Sequence, residues 1–233
     1  MLPIAIERDV QIALRRRDDR TVRIRSAQYR EGHEGPLPPW RSEDAPWANY
    51  CLGVLDEMEK AFGELPGADI LVDGSVPLAS GLSSSAAVEV ATGAAISTLL
   101  GLEIEPLKLA QICQRAENVF VGVNCGLMDQ AAAACCRKGK ALLLDCALPK
   151  CDWIPFPGKN VSVVIAHSGV RRGLSSSAYN ERRAQCEQAL KELNTLAAKA
   201  YPNLCDVPEN VFDQHSDHLP DILRRRSRHV IGE

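Results

Sequence analysis

Two stretches carry residue types that could do chemistry, and they share six letters: Gly81 to Ala86 and Gly173 to Ala178 both read G-L-S-S-S-A. The first lies where an apolar strand, ADILVDGSVPL, runs into the helical sequence AAVEVATGAAISTLLGL. Small residues let a backbone approach a ligand closely, and a helix N-terminus offers unpaired N–H groups with a partial positive charge, so this turn suits phosphate. It equally suits a plain tight turn whose serines cap the helix. No G-x-x-x-x-G-K-S/T occurs, which excludes the P-loop class. The second copy follows Arg171 and Arg172 and leads into SAYNERRAQ, where its serines read as the N-cap of a surface helix. The functional alternative sets Arg171, Arg172 and Tyr179 along a cleft facing the first loop.

Other candidate clusters read more simply as surface. Asp213, His215, Asp217 and His218 could hold a metal, but their spacing fits no standard site and a solvated connection accounts for them. Arg224 to Arg228 form a charged helix face in a chain whose net charge is -3, which gives no overall field for nucleic acid or an anionic membrane. The nine cysteines include no C-x-x-C pair, so neither a zinc ribbon nor a redox motif is written, and reduced thiols in a cytosolic protein are expected. No apolar run approaches the roughly 20 residues that a membrane span needs.

These residues must be positioned by both strands and helices. Residues 2–30 alternate apolar and charged side chains, which predicts a β-hairpin or meander with one wet and one buried face. EGHEGPLPPWRSEDAPW predicts a loop, ANYCLGVLDEMEKAFG an amphipathic helix, and ADILVDGSVPL a strand. The helix after the first hexapeptide is aliphatic on most sides and should be buried. PLKLAQICQRAENVFVG predicts another helix, NCGLMDQAAAACCRKG follows it, and KALLLDC is a strand. CALPKCDWIPFPGKN, rich in turn residues, marks a domain boundary. Beyond it come the strand VSVVIAHS, the long helix SAYNERRAQCEQALKELNTLAAKA, a polar connection and the basic helix PDILRRRSRHVIGE.

At PLASGLSSSAAVEVATG the chain resembles the GHMP family of small-molecule kinases, whose phosphate loop has the form P-x-x-x-G-L-x-S-S-A. RAENVFVGVNCGLMDQ, KALLLDC, and HSGVRRGLSSSAYNERRAQCE together with RSRHVIGE narrow the resemblance to galactokinases over nearly the whole chain. The resemblance implies an α+β fold in two lobes. Residues 1–158 would be a nearly complete N-terminal, ATP-binding domain, and residues 159–233 the unfinished start of the C-terminal one. It also implies roles for single residues. Ala79, Ser80, Gly81, Leu82, Ser83, Ser84 and Ser85 would wrap the phosphates of ATP. Ser85 and Glu117 fall on the family's magnesium-binding pair, an oxygen set that suits Mg²⁺. Asp129 falls on the catalytic aspartate beside the sugar's anomeric hydroxyl, and Gly126 and Tyr179 on contacts to galactose. Taken without the resemblance, Asp129 reads as an N-cap of DQAAAACC and Glu117 as an exposed helix residue pairing with Arg115 or solvent.

Two family motifs do not occur: G-E-H-x-D-Y with its upstream arginine, and G-G-G-F-G-G. The chain thus resembles the middle of a galactokinase. Ala79 and Ser80 replace a glycine-rich pair, and His167 replaces an asparagine. The expected activity is transfer of the γ-phosphate of ATP to galactose. A kinase for N-acetylgalactosamine or a related sugar, a galactose- and ATP-binding sensor, and an inactive fragment stand as alternatives. No nucleic-acid or membrane partner is expected, and the sequence does not fix the oligomeric state.

Overall fold

The computed structural model describes residues 1–78, 80–146, 148–158, 161–166 and 176–232, the side chains of 176–178 excepted. The chain divides into two compact units, Met1–Gly173 and Leu174–Glu233.

In the first unit four strands form one sheet: β1 (Val10–Arg16), β2 (Thr21–Ser26), β3 (His33–Pro36) and β4 (Ala68–Gly74). Their order is β1-β4-β2-β3. The expected hairpin between β1 and β2 is therefore not made. β4 lies between them, antiparallel to β1 with Ile12 opposite Val72 and parallel to β2 with Ile24 opposite Ile70. Alternation marks a strand and its wet face but not its neighbour. Buried on both flanks, β4 pairs its backbone on each side, and the short connection between β1 and β2 passes close over Gly67. Gly67 accepts from the Arg17 N–H and donates to the Asp19 carbonyl, both at 2.9 Å. A Cβ on Gly67 would lie 2.3 Å from that carbonyl oxygen, so only glycine fits beneath the crossing.

The alternation itself holds. Val22, Ile24, Ala68, Ile70 and Val72 point into the core, while Arg17 pairs with Asp69 and Arg23 with Glu34 on the other side. The segment expected as a loop at 31–47 contains β3, because β2 offers it an open edge from Thr21↔Pro36 to Ile24↔His33.

Helices α1 (Asn49–Phe62) and α2 (Ser84–Leu100) join the sheet in one core with α3 (Pro106–Arg115). That core includes Leu52, Leu55, Met58, Ile96 and Ile112. The helix expected over PLKLAQICQRAENVFVG changes pitch at its end: α3 gives way to a π-helical turn, Ala116–Val121. After it, α4 (Met128–Cys135) packs through Ala131 and Cys135 against Leu142 and Leu144 of β5 (Lys140–Asp145). β5 pairs with β6 (Lys150–Pro155), so part of the turn-rich boundary segment is a strand. Residues 1–3 lie along β5 rather than in the first sheet, with Leu142 and Leu144 donating to the Pro3 and Met1 carbonyls. Residues 161–166 of the expected strand VSVVIAHS belong to no regular element, and Val164 is 85% exposed. A strand needs a paired backbone, and this stretch shows no ladder among the described residues.

The second unit is helical: α5 (Ser176–Leu196), α6 (Glu209–His215) and α7 (Asp221–Gly232) close over Leu193, Tyr201, Phe212 and Leu223. None of the described helices is long and apolar enough to cross a membrane.

Candidate active site

The first hexapeptide leaves the sheet as a turn into α2, with Gly81 at φ 80° and Ser83 at φ 56°, ψ 39°. A left-handed serine costs on the order of 1 kcal/mol, and such residues cluster where a backbone shape is needed for function. Ser83 occupies the N-cap position, yet its side chain makes no capping bond. The capping alternative for the first hexapeptide is thus not realised, and the N–H groups of the first turn are not claimed by that hydroxyl. Ser80 is occupied locally, its hydroxyl donating to the Pro77 carbonyl at 2.7 Å. Leu82, Ser84 and Ser85 are half-buried, and Gly81 is exposed. Ala79 lies outside the described residues.

Ser85 and Glu89 stand one helical turn apart on α2 and therefore on one face. Ser85 is half-buried and Glu89 fully buried. Facing them is Glu117, carried by the π-helical turn. Turns of this kind are frequent at functional sites, where one wide turn rotates the side chains that follow it. Gly53 of α1 makes room for it: a Cβ there would lie 3.0 Å from Phe120 Cβ and 3.2 Å from the Ala116 carbonyl oxygen. Glu117 is only 6% exposed. Arg115, its expected partner, pairs with Glu57 instead, at 2.7 Å. The reading of Glu117 as a surface residue is overturned. The N-cap reading of Asp129 is overturned too: α4 begins at Met128, Leu127 holds the cap position two residues before Asp129, and Asp129 sits in the first turn.

Gln130, the next residue, is fully buried and joins the acids. Its side-chain Nε2 donates to Glu89 Oε2 at 3.0 Å and to Glu117 Oε2 at 2.6 Å. The Cys125 thiol donates to the same Glu117 oxygen at 3.2 Å. Burial pushes the Glu117 carboxyl above its ordinary range, hydrogen bonds from Cys125, Gln130 and Ser85 pull it back, and the charge of Asp129 raises it. Glu89 is pushed well up, first by burial and then by the charges of Glu117 and Asp129. Tyr50 of α1 faces the same acids: burial, Glu117 and Glu89 move its hydroxyl up to about 12.

The fold therefore draws Ser85, Glu117 and Asp129 into one electrostatic neighbourhood at the start of α2. Four participants were not singled out from sequence: Glu89, Cys125, Gln130 and Tyr50. Glu89 had a visible signal, an acid inside the otherwise apolar run AAVEVATGAA. Gln130 and Tyr50 had none. Gly126 is exposed in the segment between the π-helical turn and α4. Tyr179 belongs to the second unit, where it is 40% exposed with the Arg182 guanidinium 5.7 Å from its ring. His167, Arg171, Arg172 and the start of the second hexapeptide lie outside the described residues.

Ser85 and Glu117 supply hard oxygen donors, too few for a protein-only cage, which fits Mg²⁺ held mainly by substrate phosphates and water. Among the described residues no three His, Cys, Asp or Glu side chains are arranged to hold a metal by themselves. That includes Asp213, His215, Asp217 and His218, where Asp217 instead approaches Arg224.

Residues 49–137 match the family model of the GHMP kinases N terminal domain. A galactokinase of Roseiflexus sp. (strain RS-1) is 39% identical over 236 residues, covering 100% of this chain and 59% of that protein. The crystal structure of Lactococcus lactis galactokinase complexed with galactose is similar with a TM-score of 0.86 at 30% identity, over 100% of this chain and 61% of that one. Methanococcus jannaschii mevalonate kinase shares the fold, with a TM-score of 0.52 at 15% identity over 92% of this chain and 68% of that one. The chain spans about three fifths of the length of the galactokinases it matches.

Proposed function

We propose, for a chain that carries a GHMP kinase N-terminal domain and is similar to galactokinases from end to end, that it serves the transfer of the γ-phosphate of ATP to the anomeric hydroxyl of galactose. The observation that carries this reading is the convergence of Ser85, Glu117 and Asp129 at a helix start whose N-cap serine makes no side-chain cap.

In this reading the left-handed turn at Ser83 and the N-terminus of α2 hold the phosphates, as helix N-termini do. Ser85 and Glu117 would hold Mg²⁺, which when bound neutralises phosphate charge. Asp129 accepts a hydrogen bond from the C1 hydroxyl of the sugar and so aims its oxygen at the γ-phosphorus. The new C1–O–P bond forms, the bond from the γ-phosphorus to the bridging oxygen of ADP breaks, and the hydroxyl proton passes to Asp129 late in the step. Phosphoryl transfer depends more on alignment and charge neutralisation than on a strong base, so an aspartate suffices. Gly126 and Tyr179 are the proposed sugar contacts, and nine cysteines with no C-x-x-C pair among them suit a cytosolic setting.

ADP release from the purified chain with ATP, Mg²⁺ and galactose tests the activity. A rate above that of Asp129→Ala is expected, and equality of the two rejects it. Initial rates on galactose and N-acetylgalactosamine, compared in the same assay, assign the sugar.

A further inference from the structure

Two buried oxygens near the proposed metal ligands have no hydrogen-bond partner: Glu89 Oε1 and Gln130 Oε1. They belong to side chains already joined once, because Gln130 Nε2 donates to the other Glu89 oxygen at 3.0 Å. Both residues are fully buried. An orphaned acceptor in such a place is destabilising, and here two of them sit on adjoining groups. Each lacks a donor, and a single proton on Glu89 Oε1 supplies it: the acid O–H donates to Gln130 Oε1 while the amide N–H donates to Glu89 Oε2. The result is a closed carboxylic acid–amide pair.

We infer that Glu89 is a positioning residue that carries a proton and clamps both edges of the Gln130 amide, so that the amide's remaining N–H is aimed at Glu117. This rests on the reading of Glu117 as a metal ligand given above. The geometry explains why the clamp matters. Gln130 meets Glu117 at 2.6 Å on Oε2, where Cys125 also donates. Held there on one oxygen by two donors, the Glu117 carboxylate keeps a fixed rotation. A free Gln130 side chain could rotate or present its carbonyl to Glu117, setting oxygen against oxygen. Burial of Glu89 and its proximity to Glu117 and Asp129 favour the protonated form, in agreement with the pair. Groups that orient a metal ligand in this way are commonly worth 10 to 100-fold in metal affinity.

Glu89→Gln is the discriminating substitution, because a Gln–Gln pair restores both hydrogen bonds without an ionisable proton. Binding of Mn²⁺ together with a non-hydrolysable ATP analogue, followed by electron paramagnetic resonance, is expected to be unchanged in Glu89→Gln. It is expected to weaken by about tenfold or more in Glu89→Ala and Gln130→Ala. In ¹H–¹⁵N spectra of the ligand-free protein, the Gln130 side-chain amide should be protected from exchange in the wild type and in Glu89→Gln, but not in Glu89→Ala. Loss of affinity or protection in Glu89→Gln overturns the proposal, as does an unchanged affinity in Gln130→Ala. If Glu89→Ala fails to fold, Glu89→Gln against the wild type still decides. Failure of the kinase reading looks different: the wild type and Glu117→Ala then both fail to hold Mn²⁺, while the amide protection still reports on the pair.

Discussion

Arg115 forks onto Glu57, its Nε and Nη2 lying 2.8 and 2.7 Å from one carboxylate oxygen of α1. Glu117, two residues later, is buried and accepts hydrogen bonds from Gln130 and Cys125. The change from α to π pitch between them separates a structural ion pair from the candidate site.

The two residues should therefore fail in different assays. Arg115→Met is expected to lower stability by about 1–3 kcal/mol, because it leaves the buried Glu57 carboxylate with Lys60 as its remaining charged partner, and to leave Mn²⁺ binding alone. Glu117→Gln is expected to abolish Mn²⁺ binding with little loss of stability. Urea melts and Mn²⁺ titrations of both variants check this, and a metal defect in Arg115→Met would contradict the separation.

Ser83 offers a test of the strained turn. A capping serine loses about 0.5–2 kcal/mol on replacement by alanine. Because Ser83 makes no capping bond, Ser83→Ala should stay within about 0.5 kcal/mol of the wild type. Ser83→Gly should gain up to about 1 kcal/mol by relieving the left-handed backbone. Denaturant midpoints of the two variants decide, and a clear loss in Ser83→Ala would restore the cap.

The pH dependence of stability should carry the mark of Glu89. Its carboxyl is raised well above the ordinary value of 4.5. Between 4.5 and that raised value the folded protein holds a proton that the unfolded chain has released, so the contribution is complete below 4.5 and is lost as pH rises. Glu117 and Asp129 face the same carboxyl and oppose its ionisation, whereas Tyr50 and Cys51, pushed up to about 12 and about 11, stay neutral throughout. The stability of the wild type relative to Glu89→Gln should fall from pH 5 to pH 8, by at most about 1.4 kcal/mol per pH unit. A difference that is flat or rises with pH would exclude a buried, proton-holding Glu89.

Gly53 tests whether α1 sets the position of Glu117. Alanine is the better helix former by about 1 kcal/mol, but its Cβ would press on Phe120 and the Ala116 carbonyl at 3.0 to 3.2 Å. Gly53→Ala is expected to destabilise the protein by about 1–3 kcal/mol and to weaken Mn²⁺ binding through displacement of the π-helical turn. A stabilised variant with unaltered metal binding would show that the turn holds its shape without α1.

Much of this was legible in the residues. The period of apolar positions located α1, α2, α5 and α7, and strand alternation gave β2 a wet side with Arg23 on it, whereas β4 read only as an apolar strand and its wet side with Asp69 came from the structure. What alternation could not give was pairing. The insertion of β4 between β1 and β2 depends on contacts far apart in the chain and on the missing side chain at Gly67. β3, with the sequence HEGP, has no strand propensity of its own and exists because β2 offers it a ladder. VSVVIA has the propensity and, over 161–166, forms no strand. At the site, Ser85, Glu117 and Asp129 were reached through resemblance to a family, since by residue type each had an ordinary surface or capping role. Gln130 was unreadable because a glutamine acquires its function only from what is buried beside it.

The crossing at Gly67 has a kinetic side. Two strands joined by a short link usually zip together locally and fast, but here they are kept apart by a strand that is made only after α1. The sheet can close only when that later stretch docks between them, so its formation should be slow relative to a hairpin. Until Ala68 to Gly74 has left the ribosome, β1 and β2 wait with open edges, the state of a nascent chain in which help from a chaperone matters most.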